Sequence, residues 1–523
     1  MTETNIPANP RKSPWKDSAV TNDPLLVGLD IGSTNIKAVV FEADGRIVAR
    51  ASQKTPTHFP RPGWAYYDPG ELWQTTAAAL RAATAQVENP ARIASVGVAS
   101  VGETGVLLDA QGQPLYEMIA WYDSRSEAQG SRLAQLLGAE RVYATTGLTP
   151  QAIFSLCKLA WIQENAPEQF ARAVRWLHVA DYITWKLCGE AATDYSVASR
   201  TMALDLANRS WAVDLIRDAG INPALFAPLA QGGTPLARVT AAAAAETGLP
   251  PQAHVAVGGH DHLCGALAIG AATPGTLLDS VGTAEAVLLT IDKPLAGERV
   301  AEQGYEQGAH VVDGYYGMGA YRTAGICIDW FRQIAGSVDY ATLTAEAEAA
   351  PVGSLGVRFV PQMRLPHSPS NDPRARGVFI GLSTDVTRGM MFRAILEGLS
   401  FETRNVLEPL LRFSGYERPG EIFVIGGVSR NRLFVEIKAA ILNQALTVAG
   451  IEEEVAAGAA LLGGLGAGIY PSAAAASAAH NVTRTIIVPD PALAERYDAI
   501  FRNVYQGIYA ATRPLHHANA ALL

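Results

Sequence analysis

Apolar, β-branched residues fill two short runs near the start of the chain, Leu26 to Ile31 and Ile36 to Phe41, with small polar residues between them. Runs of this length bounded by turn residues predict strands, and Asp44-Gly45 predicts a hairpin turn into a third strand, Arg46 to Arg50. A related pattern is expected at Ile93 to Ser100 and Gly105 to Leu108, closed by the turn Asp109 to Gly112. Helical spacing of apolar residues predicts helices over Glu71 to Val87 and Phe154 to Glu164. Further on, Ala253 to Val257 reads as a strand, Gly258-Gly259 as a turn and Asp261 to Ala271 as a helix. After the break at Thr273-Pro274-Gly275, Thr276 to Val281 and Ala284 to Ile291 read as two strands joined at Gly282-Thr283. A long helix Arg388 to Phe413, a strand Glu421 to Ile425, a helix Arg430 to Gln444, a strand Leu446 to Val448 and an Ala/Gly-rich helix from Val455 follow. Two halves that each open with a glycine-turned hairpin predict internal duplication. The expected class is α/β in two lobes, residues 25–271 and 272–523, behind a flexible tail of residues 1–24 rich in proline and polar residues.

Charge and cysteine content restrict what such a chain can do. Its 523 residues include 41 basic and 50 acidic side chains, a net charge of −9, which argues against nucleic acid or an anionic membrane as the main partner. Cys157, Cys188, Cys264 and Cys327 form no CxxC pair for zinc or dithiol chemistry, and a cytoplasmic setting is expected. The apolar stretch from Val455 to Tyr470 falls short of the roughly 20 residues that span a bilayer.

Three segments carry candidate chemistry. In Gly28 to Lys37, Asp30 ends a buried strand and the turn Gly32-Ser33-Thr34 offers backbone amides and hydroxyls to phosphate oxygens, with Lys37 as a compact cation. Asp30 suits a hydrated magnesium ion; the same pattern also reads as a plain hairpin turn. Gly282-Thr283 repeats the turn in the second half, and Gly426-Gly427, followed by Asn431, places bare backbone between a strand and a helix, where a nucleotide can lie. In Gly258-Gly259-His260-Asp261-His262, Asp261 opens a helix and reads either as its N-cap or as the acceptor of a substrate hydroxyl proton.

In this order, with Trp121-Tyr122-Asp123-Ser124-Arg125, Lys158-Leu159-Ala160-Trp161-Ile162, Gly377 to Leu382 and Arg393 to Gly398, the segments resemble the FGGY carbohydrate kinases of the sugar-kinase, actin and Hsp70 superfamily, from about Leu25 to about Tyr470. The resemblance implies two ribonuclease-H-like, actin-like ATPase lobes around a central cleft, and transfer of phosphate from ATP with Mg²⁺ to an open-chain sugar or polyol. It implies Asp261 as general base and Asp30 as metal-associated carboxylate. Ser33, Thr34 and Lys37, beside Gly32, would face the transferred phosphoryl, Gly282 and Thr283 the inner phosphates, and Gly426, Gly427 and Asn431 the adenosine. Glu103, Trp121, Asp123 and His262 are the candidate substrate contacts; Trp121 and Asp123 also read as hinge or core residues. Glycerol kinases of the family have an Arg-Glu pair where this chain has Gly102-Glu103, and the Met-His pair of its xylulose kinases is missing from Ser100 to Thr104, so the substrate narrows only to a ketose or alditol of roughly four to six carbons. A homodimer is compatible with this reading.

Two other classes remain open at this point. A non-catalytic sugar-sensing relative would keep the fold. A metal-dependent hydrolase would use His254, His260 and His262, whose H-x-H spacing is that of a metal site.

Overall fold

A computed structural model describes residues 24–297, 299–321, 323–363 and 368–522. The expected tail, apart from Pro24, lies outside the described residues.

Six strands of the first half are β1 (Leu25–Ile31), β2 (Asn35–Glu42), β3 (Ile47–Lys54), β4 (Ile93–Ser100), β5 (Pro235–Arg238) and β6 (His254–Ala256). The second half contributes β7 (Thr276–Val281), β8 (Glu285–Ile291), β9 (Glu306–Ala309), β10 (Tyr315–Tyr321), β11 (Glu421–Ile425), β12 (Leu446–Gly450) and β13 (Thr483–Ile487). The helices that matter most here are α1 (Pro69–Thr84), α2 (Ser155–Asn165), α3 (Asp261–Ile269), α4 (Tyr340–Ala349), α5 (Arg388–Ser414), α6 (Arg432–Leu442), α7 (Glu454–Gly466) and α8 (Pro491–Ile500).

The first sheet runs β5-β6-β4-β1-β2-β3, with the short strand Gly259–His260 added on β4; the second runs β9-β10-β8-β7-β11-β12-β13. Their connectivities repeat. The β1–β2 and β2–β3 pairs are antiparallel, β1–β4 and β4–β6 parallel and β6–β5 antiparallel. The same sequence of directions recurs in β7–β8, β8–β10, β7–β11, β11–β12 and β12–β13. The expected duplication is thus visible strand by strand, with β9 as an addition to the second sheet.

Side-chain alternation splits each sheet between two cores. Leu25, Val27 and Leu29 of β1 enter one core, whereas Leu26 faces a second core that also takes Leu278 and Leu288 of the other sheet. That shared core is filled by α3 and α7. The Ala/Gly composition of α7 permits backbone contact: a Cβ on Gly28 would stand 1.8 Å from the Ala456 carbonyl oxygen, and one on Gly97 would stand 1.9 Å from that of Ala459. Helix α7, late in the chain, therefore lies directly on β1 and β4 of the first sheet.

One pairing differs from expectation. Gly105–Leu108 leaves the sheet and pairs antiparallel with Arg175–His178. The reason is local: Glu103 takes a left-handed conformation, φ 59°, and turns the chain away from β4. No helix among the described residues is long and apolar enough to cross a membrane.

Candidate active site

The β1–β2 hairpin sets Asp30 opposite Lys37 in register. Its turn is fixed from outside, because Thr55 donates its hydroxyl to the Gly32 carbonyl at 2.6 Å and its amide to the Thr34 carbonyl at 3.0 Å. Lys37 Nζ lies 2.7 Å from the carboxylate of Glu453, the residue that precedes α7. Burial pushes the Asp30 carboxyl up to about 7; the nearby Asp261 adds to the rise and Lys37 opposes it. A carboxyl raised in this way by desolvation and a second carboxylate marks a place where positive charge is wanted.

That second carboxylate stands at the head of α3. Gly259–His260 pairs with the end of β4, at Ala99 and Ser100, and the His260 amide donates to Ser196 Oγ at 3.0 Å, so the approach to Asp261 is held on both sides. Asp261 is the first residue of the helix, and the N-cap position before it is held by His260, whose side chain makes no capping bond. Asp261 Oδ1 accepts the adjacent His262 amide at 2.6 Å and lies 3.5 Å from His260 Nδ1, and Oδ2 accepts no hydrogen bond among the described residues. Asp261 therefore stands one residue past the N-cap, with one carboxylate oxygen on a first-turn amide and the other unpaired among the described residues. The structure brings Asp30, Gly32, Ser33, Thr34, Lys37, Asp261 and His262 to one cavity of about 380 Å³ between the lobes, whose other wall includes Ser280 of β7 and Ile425 of β11. Glu454, at the start of α7, lines it as well.

The remaining turns lie beside this cavity and outside its lining. The carbonyls of Gly282 and Thr283 accept the amides of Gly325 and Ala324, at 2.9 and 3.1 Å. Gly426, at φ 98°, packs so closely that a Cβ there would be 2.3 Å from the Val281 carbonyl oxygen, whereas Gly427 faces open space. These contacts gather the turn after β7 and the turn after β11 into one unit. Asn431 caps α6, accepting the Phe434 amide at 3.2 Å and donating to Thr344 of α4 at 3.1 Å. Its side chain is thus already engaged. Beneath the unit, the fully buried Lys438 of α6 reaches Asp279 of β7 at 2.5 Å and Glu285 of β8 at 2.9 Å, and Glu285 also accepts bonds from Tyr321 and Thr403.

The substrate candidates are distributed unevenly. Trp121, 37% exposed, donates its indole N–H to Ser33 Oγ at 3.4 Å and so stands at the rim of the hairpin turn. Asp123 is buried, and its oxygens accept the Ala65 and Arg125 amides at 2.6 and 2.7 Å and the Arg125 guanidinium at 2.9 and 3.0 Å. Those bonds leave it little capacity for a sugar hydroxyl. Glu103 is also buried, 2.7 Å from Arg200 Nε; Arg200 in turn reaches Glu306 of β9 at 2.9 Å, linking the lobes. The carbonyl of Glu103 accepts Ser155 Oγ at 3.0 Å and Nζ of the buried Lys158 at 3.1 Å, and burial pushes that ammonium down to about 7. A Cβ on Gly102 would come 2.9 Å from His260 Cδ2 and 3.1 Å from Arg200 Cγ, so the site has no room for a larger residue there.

Sequence reasoning missed Arg200, Glu453, Glu454 and Lys438. The acidic run Glu452-Glu453-Glu454 ahead of an Ala/Gly helix was the available signal for two of them; Arg200 and Lys438 act through partners distant in the chain, which no local pattern shows. The hydrolase alternative gains no support from the geometry. The rings of His260 and His262 lie 5.4 Å apart, but no group of three or more His, Cys, Asp or Glu side chains among the described residues is placed to hold a metal ion.

Two sheets of matching connectivity, around a cleft that holds Asp30, Asp261, Glu454 and a small-residue turn, define a two-lobed enzyme of the actin-like class. Residues 25–268 match the N-terminal domain of the FGGY family of carbohydrate kinases and residues 277–467 its C-terminal domain. The chain is 28% identical over 504 residues to a xylulose kinase of Bacillus subtilis, covering 94% of this chain and 98% of that protein. It is 32% identical over 471 residues to a glycerol kinase of Gloeobacter violaceus, with coverages of 88% and 91%. A crystal structure of xylulose kinase from Rhodospirillum rubrum superposes with a TM-score of 0.85 at 30% identity, over 94% of this chain and all of that one. The chain belongs to the FGGY family of carbohydrate kinases. It is a carbohydrate kinase, and kinases of this family use ATP as co-substrate.

Proposed function

We propose that this kinase transfers the terminal phosphoryl of ATP to one hydroxyl of an open-chain ketose or alditol of roughly four to six carbons, with Asp261 as general base. The observation that supports the reading is the placement of the Asp261 carboxylate, whose Oδ2 accepts no hydrogen bond among the described residues and which lines the cavity that also holds Asp30 and the Gly32-Ser33-Thr34 turn. In that position it can take the proton of a substrate hydroxyl as the oxygen attacks. Ser33, Thr34 and the turn amides stabilise charge on the phosphoryl oxygens, and Lys37, held by Glu453, keeps a positive charge at the edge of the cavity. A carboxyl raised to about 7 in a cavity that also holds Asp261 and Glu454 fits a hydrated divalent cation, and Asp30 would hold Mg²⁺, which would neutralise charge on the nucleotide phosphates and leave Asp261 to act as base.

The division at residue 272 assigns the base to the first lobe and the nucleotide turns, Gly282-Thr283 and Gly426-Gly427, to the second, with closure of the lobes excluding water before transfer. Within the sugar pocket, Glu103 and Trp121 are retained as contacts, and Asp123 is reassigned to holding the loop through Arg125. Of the relatives' named substrates, xylulose, with five carbons, falls inside this range and glycerol, with three, falls below it. The crowding at Gly102 favours a pocket distinct from a glycerol site that carries arginine there, and Arg200 supplies the cation beside Glu103 from another part of the chain. A cytoplasmic location accords with this metabolic role.

The test is an ADP-release screen over polyols, ketoses and deoxyketoses, run on the wild type and on Asp261→Asn. Sugar-dependent ADP formation is expected, reduced by roughly 10² to 10⁴ in the variant while nucleotide binding stays near normal. A folded protein that forms no ADP with any of these sugars, or an Asn variant with wild-type turnover, would sink the assignment.

A further inference from the structure

A second cavity, of about 550 Å³, lies between the 351–358 loop and the end of α8, and it shares no lining residue with the cleft. Two guanidinium groups line it, those of Arg358 and Arg496. Arg358 is 8% exposed and has no carboxylate within ion-pair distance among the described residues. Its Nη1 donates to the carbonyls of Gly353 and Val357, at 2.7 and 2.8 Å, and its buried Nε has no partner among the described residues. Arg496 donates to the Val352 carbonyl, at 2.7 Å. The nearby carboxylate is already committed: Glu397 accepts Arg393 Nε at 2.9 Å, the Tyr497 hydroxyl at 2.8 Å and the Gly353 amide at 3.0 Å. Arg358 and Arg393, both buried, therefore stand against the single carboxylate of Glu397, with Arg496 adding a third positive charge at the rim. A buried guanidinium without a counter-charge is costly, and its planar fork matches the oxygens of a phosphate or carboxylate. The remaining side chains that line it are apolar apart from Asn503. Leu355 and Val504, exposed at 57% and 41%, flank the guanidiniums together with Ile500.

We infer that this pocket binds a small organic anion, its phosphate or carboxylate group at Arg358 and Arg496 and its carbon skeleton on Leu355, Ile500 and Val504. The site is independent of the catalytic cleft. Burial and the neighbouring Arg496 both lower the proton affinity of Arg358, as expected of a cation that lacks its counter-ion, and Glu397 offsets this only in part.

The experiment is calorimetric titration of the full-length protein, its cleft filled with a non-hydrolysable ATP analogue, using phenyl phosphate, benzoate, inorganic phosphate and benzyl alcohol as probes. Phenyl phosphate or benzoate should bind more tightly than inorganic phosphate, and benzyl alcohol least; the order of the first two tells which head group the site prefers. Arg496→Gln should weaken the favoured anion roughly tenfold or more, the loss expected for one charge-assisted hydrogen bond, without changing turnover. Arg358→Gln should do the same, and if that variant fails to fold, Arg496→Gln decides alone. An unchanged affinity in Arg496→Gln, or benzyl alcohol binding as tightly as the anions, would overturn the inference.

Discussion

The hairpins β1–β2 and β7–β8 occupy equivalent places in sheets of the same connectivity, and each carries an aspartate near its turn, yet the two aspartates have opposite fates. Asp30 pairs across its hairpin with Lys37 and faces the cleft. At the equivalent place in the second hairpin stands Ser280, opposite Ala286, and both line the same cavity. Asp279 is one residue earlier. Since side chains alternate along a strand, that single step sends it to the other face, where it meets Lys438 and Glu285 in complete burial. Under the proposed function one aspartate serves chemistry, while the other anchors the strand, and the register separates them.

The sharpest way to break this comparison is to neutralise the cleft aspartate. Asp30→Asn should lower kcat by roughly 10² to 10³, the usual loss for an electrostatic element of a transition state, while thermal stability holds or rises because a desolvated carboxyl has been relieved. Steady-state ADP release and a melting curve check both halves; a fall in stability with kcat preserved would reverse the roles assigned to the two hairpins. Lys438→Met tests the other side. It strands two buried carboxyls and should cost about 3–5 kcal/mol in denaturant unfolding, with the Michaelis constants of the folded fraction little changed. Replacing Asp279 by Asn and Glu285 by Gln in the same protein should recover much of that loss. A large rise in the Michaelis constant for ATP at intact stability would instead give Lys438 a part in nucleotide binding.

A smaller effect is expected at Glu103. Glu103→Ala should raise the Michaelis constant for sugar by roughly 10- to 100-fold, because a pocket that has lost one charged hydrogen-bonding partner discriminates poorly, and should barely alter that for ATP. Equal changes in paired titrations of the two substrates would return Glu103 to the framework. The smallest effect concerns pH. Asp194 is fully buried, with Oδ1 accepting the Ser196 and Val197 amides and Oδ2 unpartnered among the described residues, and burial pushes its carboxyl up to about 7. Between the unfolded value near 4 and this folded value the native state holds a proton that the unfolded chain has released, so stability falls as pH rises through that window. Asp194→Asn should flatten that slope in denaturant unfolding measured from pH 4 to pH 7; an unaltered slope would assign it to other groups.

Much of this architecture is legible in the order of residues alone. The strands from Leu26 to Phe41 and from Thr276 to Ile291, and the helix headed by Asp261, emerge from local alternation and turn chemistry, and Asp30 and Asp261 stand out by where they sit relative to those turns. Asp123 and Asn431 illustrate the limit. Each is a polar residue in a promising motif, but only packing reveals that Arg125 and Ala65 claim the first and the start of α6 claims the second. Arg200 and Lys438 mark the same limit from the other direction, since their partners lie far away in the chain and a buried ion pair leaves no periodic trace.

The contact of α7 with Gly28 and Gly97 has a consequence for biosynthesis. As the ribosome works from the N-terminus, β1 and β4 emerge long before the helix that covers them, so one face of the first sheet stays uncapped until residues 454–466 have been made. The nascent first half therefore awaits its own last layer, and a protein cut near residue 272 should regain solubility only when both fragments are produced together.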